Sequence, residues 1–509
     1  MKTSTSQKED GARAVHHKST LGFHNSYAKL PRHFYQQCFP TPVAAPHVIT
    51  YNQKLAYDLD IDLSHLSPQQ LTDLFSGNTV SSDSQPLAMV YAGHQFGYFV
   101  PQLGDGRAIL LGEKRGRDGN RYDIQLKGAG RTAFSRGGDG RSALGPVLRE
   151  YIVSEAMHKL GIPTTRALAM VTTGETVLRE KGLIPGGILT RAASGFVRIG
   201  TFEYFLARED YTSLQQLADY CINRHYPRAQ HTEDPYLNFF QLVCDKQAKL
   251  VAQWMRVGFI HGVMNTDNTA VSGETIDYGP CAFMDHYNPE IVFSSIDKSG
   301  RYRFSQQSNI IVWNLTSLGN CLLPIMTTET ASAIEAMQQV LASFQETFLA
   351  YWQQQMNTKV GLSTVQKGDQ ELVQAFLHIL FQQEIDYTLA FRYLSDMLQE
   401  RGDNSRFLAL FQQTKHIQPW LKQWHKRLEQ ESTSFEQIRA VMNRANPAFI
   451  PRNHRIEHAL QRAEQEGDLS EVHTLNKILA TPYEEQPENA EYMHSPQPEE
   501  RILQTFCGT

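Results

Sequence analysis

Hydrophobic and polar positions between about residues 96 and 191 predict β-strands. Short β-prone runs at 108–111 and 122–126 flank the turn-forming segment Gly-Arg-Asp-Gly-Asn and predict a hairpin. Residues 167–172 and 176–179, separated by Thr-Gly-Glu, predict a second hairpin. The glycine-rich first half of the chain is therefore expected to contain a sheet.

Other stretches have apolar residues at helical spacing. A helix is predicted over 142–160, where Gly-Ile-Pro ends the pattern, and a long amphipathic helix over 237–257. Short strands are predicted at 270–271 and 275–276. From 328 to 479 nearly the whole sequence predicts helices of ten to twenty residues with polar links.

These patterns predict an α+β protein in which a strand-rich part precedes a helical part. We expect a disordered leader over 1–25, a strand-rich part over 26–205, a helical part over 206–480 and a tail over 481–509, which is rich in Pro, Glu and Gln. A strand-rich lobe with one embedded helix, followed by a helical lobe, is the outline of the bilobal protein-kinase-like fold.

Composition narrows the function classes. The 509 residues are 41% hydrophobic and 20% charged, which is ordinary for a globular protein, and the net charge of −5 gives no sign of a nucleic-acid or membrane partner. The six cysteines include no CxxC pair, so neither a zinc site nor a secreted disulfide framework is indicated. No signal peptide or apolar span is visible, and we expect a cytoplasmic protein.

Two glycine-flanked elements are candidate phosphate sites. Gly104 and Gly106 flank one residue and precede Arg107, so that backbone amides and a guanidinium can approach a phosphate. A hairpin turn with a surface arginine is the simpler alternative. Lys127 lies at the end of a predicted strand, where a kinase places its phosphate-contacting lysine; an exposed lysine at a strand end is the simpler alternative.

The lysine of such a site needs a carboxylate from the following helix. Glu150 is the best candidate and Glu155 the alternative. The glycine-rich loop at 135–142 leads into the same helix and is a candidate anion site at a helix N-terminus, unless it only caps the helix. Arg191 and Arg198 are further candidate phosphate clamps.

The segment from 258 to 279 carries the sharpest motif. His261 and Asn268 are seven positions apart, as in the kinase catalytic loop HRDxxxxN, and Asp277 begins Asp-Tyr-Gly where a kinase has Asp-Phe-Gly. Asn268 and Asp277 offer oxygen ligands suited to Mg²⁺. A polar turn capping a strand is the alternative.

One position departs from the kinase pattern. The kinase base lies two residues after the histidine, and that position is Val263, which cannot accept a proton. Asp267 is the only carboxylate in the loop. If the protein is active, Asp267 is therefore the expected base, and the reacting phosphorus need not be the γ one.

Together these elements resemble the selenoprotein O family, whose bacterial members are the YdiU-type protein adenylyltransferases. The similarity covers 34–285, with a looser correspondence beyond, and rests on the blocks at 91–97, 125–132, 135–141 and 261–277. The family has a kinase-like fold in which ATP lies flipped, so that the α-phosphorus faces a protein hydroxyl.

The resemblance implies a function and a site. We expect transfer of AMP from ATP, with UTP an alternative donor of UMP, to Ser, Thr or Tyr hydroxyls of proteins, and Mg²⁺ or Mn²⁺ as cofactor. It implies Asp267 as the base and Asn268 and Asp277 as metal ligands. The implied nucleotide-binding residues are Gly104, Gly106, Arg107, Lys127, Asp139, Gly140, Arg191, Arg198 and Asp277.

The resemblance also bears on the last residues. Some members end in a CxxU pair, which this chain lacks, whereas bacterial relatives can join a tail cysteine to one just after the Asp-Phe-Gly-like motif. Cys507 and Cys281 fit such a regulatory disulfide, although a terminal cysteine is often an exposed thiol. A binding-only pseudokinase scaffold and a conventional kinase are the rival functions.

Overall fold

The computed structural model describes residues 15–17, 21–180, 182–326, 329–399 and 405–506. The β-strands are β1 (Val15–His17), β2 (Tyr35–Gln37), β3 (His47–Tyr51), β4 (Thr79–Ser81), β5 (Leu87–Met89), β6 (Gly93–Gln95), β7 (Tyr98–Val100), β8 (Ala108–Arg115), β9 (Arg121–Lys127), β10 (Ser142–Ala143), β11 (Arg166–Arg179), β12 (Gly182–Ala193), β13 (Phe259–Ile260) and β14 (Ala282–Phe283). The α-helices are α1 (Gln53–Asp58), α2 (Pro68–Ser76), α3 (Leu144–Lys159), α4 (Ile199–Leu206), α5 (Tyr211–His225), α6 (Pro235–Val257), α7 (Gln307–Leu322), α8 (Thr330–Lys359), α9 (Asp369–Gln382), α10 (Tyr387–Leu394), α11 (Ser405–Ala409), α12 (Gln418–Leu428), α13 (Phe435–Ala445), α14 (Asn453–Gln465) and α15 (Ser470–Ile478). The protein thus has a strand-rich N-terminal part and a helical C-terminal part.

One sheet organises the N-terminal part. Among the described residues it has eight strands in the order β2-β5-β8-β9-β12-β11-β3, with β10 paired to β12. Every pairing within it is antiparallel. The hairpin predicted first from the sequence is confirmed, since β8 and β9 pair along their length.

Both faces of this sheet are covered. Along β8, Ile109 and Leu111 belong to one apolar cluster, which also holds residues of α1 and α2, while Leu110 belongs to the larger cluster that contains α3. Successive strand residues point to opposite faces, so this alternation puts helices on both sides. The helix α3 therefore lies between the sheet and the C-terminal part.

The second predicted hairpin is wrong. Residues 166–179 form the single strand β11, and its partner is β12. The Thr-Gly-Glu segment is a bulge: the register shifts between Thr172 and Thr176, and Gly174 adopts φ 68°. Glycine within a strand pattern favours a bulge as readily as a turn, and here the bulge formed.

The strands predicted at 270–271 and 275–276 are also not formed. Ala270 and Thr275 each make one isolated bridge, with Arg198 and Thr164 respectively. A single bridge ties a loop to its neighbour without making a ladder. The short strands of this region are instead β13 and β14, on either side of the predicted ones.

The long helix predicted over 237–257 is confirmed as α6. The Asp234 side chain accepts from the Leu237 amide, Pro235 occupies the first turn, and Gly258 ends the helix at φ 74°. These are the residue types that favour a helix start and stop. Residues of α6 lie in the core with residues of α7 and α8, and Gly258 leads into the candidate catalytic loop.

Helix α14 returns to the N-terminal part and packs against α3. Glu464 accepts a hydrogen bond from the Gly145 amide at 2.8 Å, and Glu457 pairs with Arg149 at 2.6 Å. A Cβ at Gly145 would lie 2.5 Å from the Glu464 carboxylate, so the two helices are in close contact. The orientation of α3 therefore depends on residues from the far end of the chain.

The disordered leader predicted over 1–25 is too long. The amides of Gly22 and Phe23 donate to the Asp83 carboxylate at 2.7 and 2.9 Å, and Phe23 is buried. Residues 21–25 therefore belong to the folded part, because a buried aromatic ring and a shared carboxylate hold them there. Residues 1–14 and 18–20 lie outside the described residues.

Candidate active site

The loop after α6 is closed at its base by the pairing of β13 with β14. His261, which is 1% exposed, donates from Nε2 to the carbonyl of Ile276 over 2.9 Å. Its amide donates to Gln307 at 3.1 Å. His261 is thus a buried link between the start of the loop and the residue before Asp277.

Asn268 lies at the end of a 3-10 turn, Thr266–Asn268. Its side-chain nitrogen donates to the Val263 carbonyl at 3.0 Å. The amide is held by this bond, which uses a donor and leaves the side-chain oxygen for another ligand. The Val263 side chain is itself buried.

Asp277 is surrounded by the side chains of Lys127, Arg191 and Arg198, which together form a cation cluster. Its Oδ1 lies 2.7 Å from Lys127 Nζ and 3.2 Å from Arg191, and its Oδ2 lies 3.5 Å from Arg198. Burial raises the pKa of this carboxyl, but the three neighbouring cations together hold it well below its usual range. Asp277 also adopts φ 63°, an uncommon conformation for a residue with a Cβ and one that clusters at functional sites.

Glu150 of α3 forms ion pairs with two of these cations. Its carboxylate lies 2.6 Å from Lys127 and 2.9 Å from Arg191. The pairing of Lys127 with Glu150 expected from the sequence is therefore confirmed. The alternative, Glu155, is instead bonded to Arg166 and Asn52.

This arrangement fits a magnesium-type ion bound with phosphates. Asn268 offers an amide oxygen and Asp277 a carboxylate, and within the described ranges no group of three His, Cys, Asp or Glu side chains could hold a metal. Mg²⁺ commonly takes one or two protein oxygens and completes its shell with phosphates and water. The donor set therefore suits a metal that arrives with a nucleotide.

A second layer fixes the arginines. Arg198 contacts Asp105 at 3.7 Å and stacks over the Tyr91 ring with its guanidinium carbon 4.4 Å from the centroid. Gln125 accepts from Arg191 at 2.9 Å and donates to Asp105 at 3.2 Å. Burial raises the pKa of Asp105, an effect that Arg198 opposes. The two arginines are thus rigidly held and 2–3% exposed.

Asp267 lies beside this cluster but outside its ion pairs. Its main-chain carbonyl accepts from Arg198 at 3.0 Å, and the same guanidinium nitrogen contacts Asp277. The Asp267 side chain is 7% exposed, and burial raises its pKa to about 6. Its Oδ2 accepts from Gln95 at 3.1 Å, whereas its Oδ1 is buried with no hydrogen-bond partner among the described residues.

The predicted glycine site at 104–107 borders the same region. Gly104 adopts φ 75°, and a Cβ at Gly106 would lie 2.8 Å from the Phe134 carbonyl. Both glycines are therefore required for packing against the next loop, whatever else they contact. Arg107 and Lys127 line a common cleft. Its other lining residues are Ser142, Pro146, Val147, Glu150, Leu189, Tyr278 and Gly279.

Asp139 and Gly140 lie on a neighbouring loop. Asp139 is bonded to Arg179 at 2.8 Å and to the Arg141 amide at 2.9 Å. Its pKa is lowered, because these hydrogen bonds outweigh a partial burial that acts in the other direction. Gly140, at φ 67°, packs against the backbone of Gly130. These contacts stabilise the conformation of the loop. They do not involve the cation cluster around Asp277.

At the start of the predicted 142–160 helix, where the sequence predicts an anion site, a carboxylate of the protein itself contacts the backbone. The helix begins at Leu144, and the amide of Gly145 donates to Glu464 of α14. The positive end of the helix is thus matched by a protein carboxylate. No feature of the local sequence indicates this partner, which is 319 residues away.

Sequence reasoning missed several residues of the site. Asp105, Gln125 and Tyr91 fix the arginines, and Gln95 contacts Asp267. Tyr91 and Gln95 lie in one of the blocks that carry the family resemblance, and this was the available signal. It did not indicate what either side chain contacts.

Comparison with known proteins gives a consistent result. The family model described as "Protein adenylyltransferase SelO" matches residues 17–480. "Protein nucleotidyltransferase YdiU" of Maridesulfovibrio salexigens is 52% identical over 491 residues, covering 96% of this chain and 99% of that protein. The protein of the same name from Rhizobium leguminosarum bv. trifolii is 51% identical over 507 residues, covering 100% of both, and that from Agrobacterium fabrum is 52% identical over 489 residues, covering 96% and 100%.

The protein is therefore an enzyme that transfers a nucleotide. The family model and the relatives match nearly the whole chain. The matched region includes the loop after α6 and the cation cluster around Asp277. The chain belongs to the SelO family.

Two further expectations can be compared with the structure. In the described part of the chain, no helix has the length and apolar character needed to cross a membrane. Cys507 lies outside the described residues, whereas Cys281 is a buried free thiol whose pKa burial raises to about 11.

Proposed function

We propose that the protein is a metal-dependent protein nucleotidyltransferase, which moves AMP from ATP to Ser, Thr or Tyr hydroxyls of proteins, with UTP as an alternative donor of UMP. The observation that carries this proposal is the Asp267 carboxylate, buried with one unpartnered oxygen beside the Asp277 cluster. Its neighbour Val263 stands where a kinase has its base. The relatives are named protein nucleotidyltransferases, which supports a protein acceptor.

The proposed fold is a kinase-like one with two lobes. The strand-rich lobe covers 26–205, the helical lobe 206–480 and the tail 481–509. Three features support it: the antiparallel sheet with α3 on one face, the ion pair of Lys127 with Glu150, and the contact of Lys127 with Asp277. In a kinase, the corresponding lysine, glutamate and aspartate position nucleotide and metal.

In the proposed complex, the triphosphate lies against the cation cluster. Lys127, Arg191 and Arg198 then exchange part of their contact with Asp277 for phosphate oxygens, which guanidinium and ammonium groups bind well. The remaining proposed nucleotide-binding residues, taken from the family resemblance, are Gly104, Gly106, Arg107, Asp139 and Gly140. The nucleotide is flipped, so that its α-phosphorus faces Asp267.

Asn268 and Asp277 are the proposed ligands of Mg²⁺ or Mn²⁺. The ion supplies charge neutralisation for the phosphates when bound. The protein's own contribution is the fixed orientation of both side chains: Asn268 through Val263, and Asp277 through its neighbouring cations. Oxygen ligands suit both metals, so the site does not favour one of them.

Asp267 is the proposed general base. The acceptor oxygen forms a bond to the α-phosphorus while the bond from that phosphorus to the bridging oxygen breaks, and pyrophosphate leaves with the electron pair. The hydroxyl proton passes to Oδ1 of Asp267. Burial makes this carboxylate a stronger base than an exposed one, because its pKa is raised to about 6.

Labelled nucleotide separates this proposal from its rivals. The protein is incubated with Mg²⁺ or Mn²⁺ and dephosphorylated casein as acceptor, with either α-labelled or γ-labelled ATP. Label from the α-position on casein or on the protein itself supports nucleotidyl transfer. Label from the γ-position only would identify a conventional kinase, and no label from either would indicate a scaffold. Parallel reactions with α-labelled UTP compare the two donors.

Restoring a carboxylate at the kinase position is not expected to create a kinase. In Val263→Asp the new carboxylate lies where kinases hold the acceptor hydroxyl, but the flipped nucleotide still presents its α-phosphorus. We therefore expect no γ-label on casein. Val263→Asn, of similar size and without charge, controls for the polar group in a buried position. Robust γ-transfer by the aspartate variant alone would mean that the nucleotide is not flipped.

We further propose that a disulfide between Cys281 and Cys507 regulates the enzyme, with a peroxide or a small-molecule disulfide as the oxidant that takes up the two electrons and two protons of the thiols. Thr505 supports this, because its hydroxyl donates to the carbonyl of Pro280 and its amide to Phe293, so the tail runs beside Cys281. A disulfide would close a loop of over two hundred residues, worth about 4–5 kcal/mol in the loop-closure model.

Reductant is accordingly expected to raise transfer by the oxidised protein. Cys507→Ala should have the reduced activity without dithiothreitol, and Cys38→Ala, in a different cysteine, should still respond. Mass mapping of the oxidised wild type should find the Cys281–Cys507 peptide pair. Free thiols at both positions after oxidation, with activity indifferent to reductant, would contradict the proposal.

A further inference from the structure

A short hairpin packs directly on the turn that carries Asp267. It consists of β6 and β7, which pair only with each other among the described residues. The amide of His94 donates to Thr266 at 2.7 Å, and the amide of Phe96 donates to Asn265 at 3.1 Å. Main-chain groups on both sides of Gln95 are therefore bonded to the two residues that precede Asp267.

The buried carboxylate of Glu203 stabilises the contact between the hairpin and the turn. Glu203 of α4 accepts from Thr266 Oγ1 and from Nδ1 of His94, both at 2.5 Å, and also from Ser317. Glu203 is 3% exposed. Since the hairpin and the turn share this partner, the position of Gln95 relative to Asp267 is set by a rigid frame.

The two oxygens of the Asp267 carboxylate have different surroundings. Oδ2 accepts from Nε2 of Gln95 at 3.1 Å. Oδ1 has no hydrogen-bond partner in the described part of the chain, and the backbone of Gly93 closes one side of it. A Cβ at Gly93 would lie 2.9 Å from Oδ1, so any other residue would occupy space beside that oxygen.

We propose that Gln95 is a positioning residue, whose amide holds Oδ2 of Asp267 and thereby turns Oδ1 toward the acceptor hydroxyl. A carboxylate rotates readily about its terminal bond, and one directed hydrogen bond is enough to select an orientation. Gln95 itself takes no proton and contacts no substrate. This inference rests on the proposed role of Asp267 as the base.

A purely structural role for Gln95 is the competing explanation, since its side chain also joins the hairpin to the turn. The two roles differ in how the loss of Gln95 combines with the loss of Asp267. A positioning residue acts through the base, so its removal costs nothing further once the base is absent. A structural residue lowers the rate by the same factor in either background.

The experiment is a double-mutant cycle with Gln95→Ala, Asp267→Ala and the double variant. Transfer of label from α-labelled ATP to dephosphorylated casein gives kcat and the KM for ATP, and thermal melting reports folding. We expect Gln95→Ala to lower kcat by about 10- to 100-fold, with the KM for ATP within about twofold of wild type. In the Asp267→Ala background the same change should alter kcat by less than about twofold.

Two more variants sharpen the cycle. Gln95→Glu keeps the shape but replaces the donor with a second carboxylate facing Asp267, so it should be at least as slow as Gln95→Ala. Gln36→Ala, at an exposed position on β2, should retain wild-type kcat. Equal losses from Gln95→Ala in both backgrounds, or wild-type kcat in Gln95→Glu, would overturn the inference.

The outcomes also separate this inference from the proposed function. If Asp267→Ala transfers as fast as wild type, the base assignment fails and the inference fails with it. If Asp267→Ala is slow while Gln95→Ala is normal, only the inference fails. Absence of α-label transfer by the wild type would overturn both.

Discussion

Replacing Asp277 with alanine is expected to abolish nucleotide transfer, with a loss of about 10³-fold or more. The carboxylate is both a proposed metal ligand and the group on which Lys127, Arg191 and Arg198 converge. Without it, a metal–triphosphate loses a negatively charged ligand and the three cations lose the partner that orders them. Titration calorimetry should show greatly weakened binding of ATP in the presence of Mg²⁺.

Two variants make this result specific. Asp277→Asn keeps an oxygen ligand but removes the charge, so its binding defect should lie between those of wild type and Asp277→Ala. Glu346→Ala removes an exposed carboxylate of α8 and should leave transfer and binding unchanged. Wild-type turnover in Asp277→Ala would exclude Asp277 from the active site.

Asp267→Ala is expected to lower the transfer rate by about 10²- to 10⁴-fold, the usual cost of removing a general base. Affinity for the metal–nucleotide should change little, because the Asp267 carboxylate contacts Gln95 and makes none of the ion pairs with Asp277's cations. The comparison is between kcat and the dissociation constant of ATP measured with Mg²⁺.

Asp267→Asn is the matched control. It preserves the size of the side chain and cannot act as a base, so it should be as slow as the alanine variant while melting closer to wild type. A collapse of nucleotide affinity in both variants would instead make Asp267 a metal ligand.

Local sequence was sufficient where neighbouring residues decide the structure. Helix α6 was predicted because its cap, its first-turn proline and its terminal glycine are all local signals. The ion pair of Lys127 with Glu150 was also predictable, because a kinase-like lysine at a strand end needs a carboxylate from the following helix.

Local signals misled where two structures share them. The Thr-Gly-Glu segment at 173–175 carries turn residues, yet the strand continues through it as a bulge because β12 offers a partner along both halves. Strands were predicted at 270–271 and 275–276, but Ala270 and Thr275 each find only one bridging partner. In both cases the pairing partner decides whether a strand forms. The local sequence pattern carries no information about that partner.

The supporting layer of the site was beyond sequence reasoning for the same reason. Asp105 and Arg198, like Gln95 and Asp267, are far apart in the sequence, so their contacts depend on tertiary packing. Polar side chains in such positions cannot be distinguished from surface residues by type alone. Motif spacing therefore indicates the candidate residues, while burial and contacts determine how they are held.

The packing of α14 on α3 has a consequence for biosynthesis. Glu150 lies on a helix that takes a cap from Glu464 and an ion pair from Glu457, residues made more than three hundred positions later. A ribosome that has completed the sheet, α3 and the catalytic loop has thus still not produced the residues that fix α3 in place. Since chains are synthesised from the N-terminus, these two contacts with α3 form only after residue 464 has been made. A nascent chain that stops before α14 therefore lacks two contacts that orient the helix carrying Glu150.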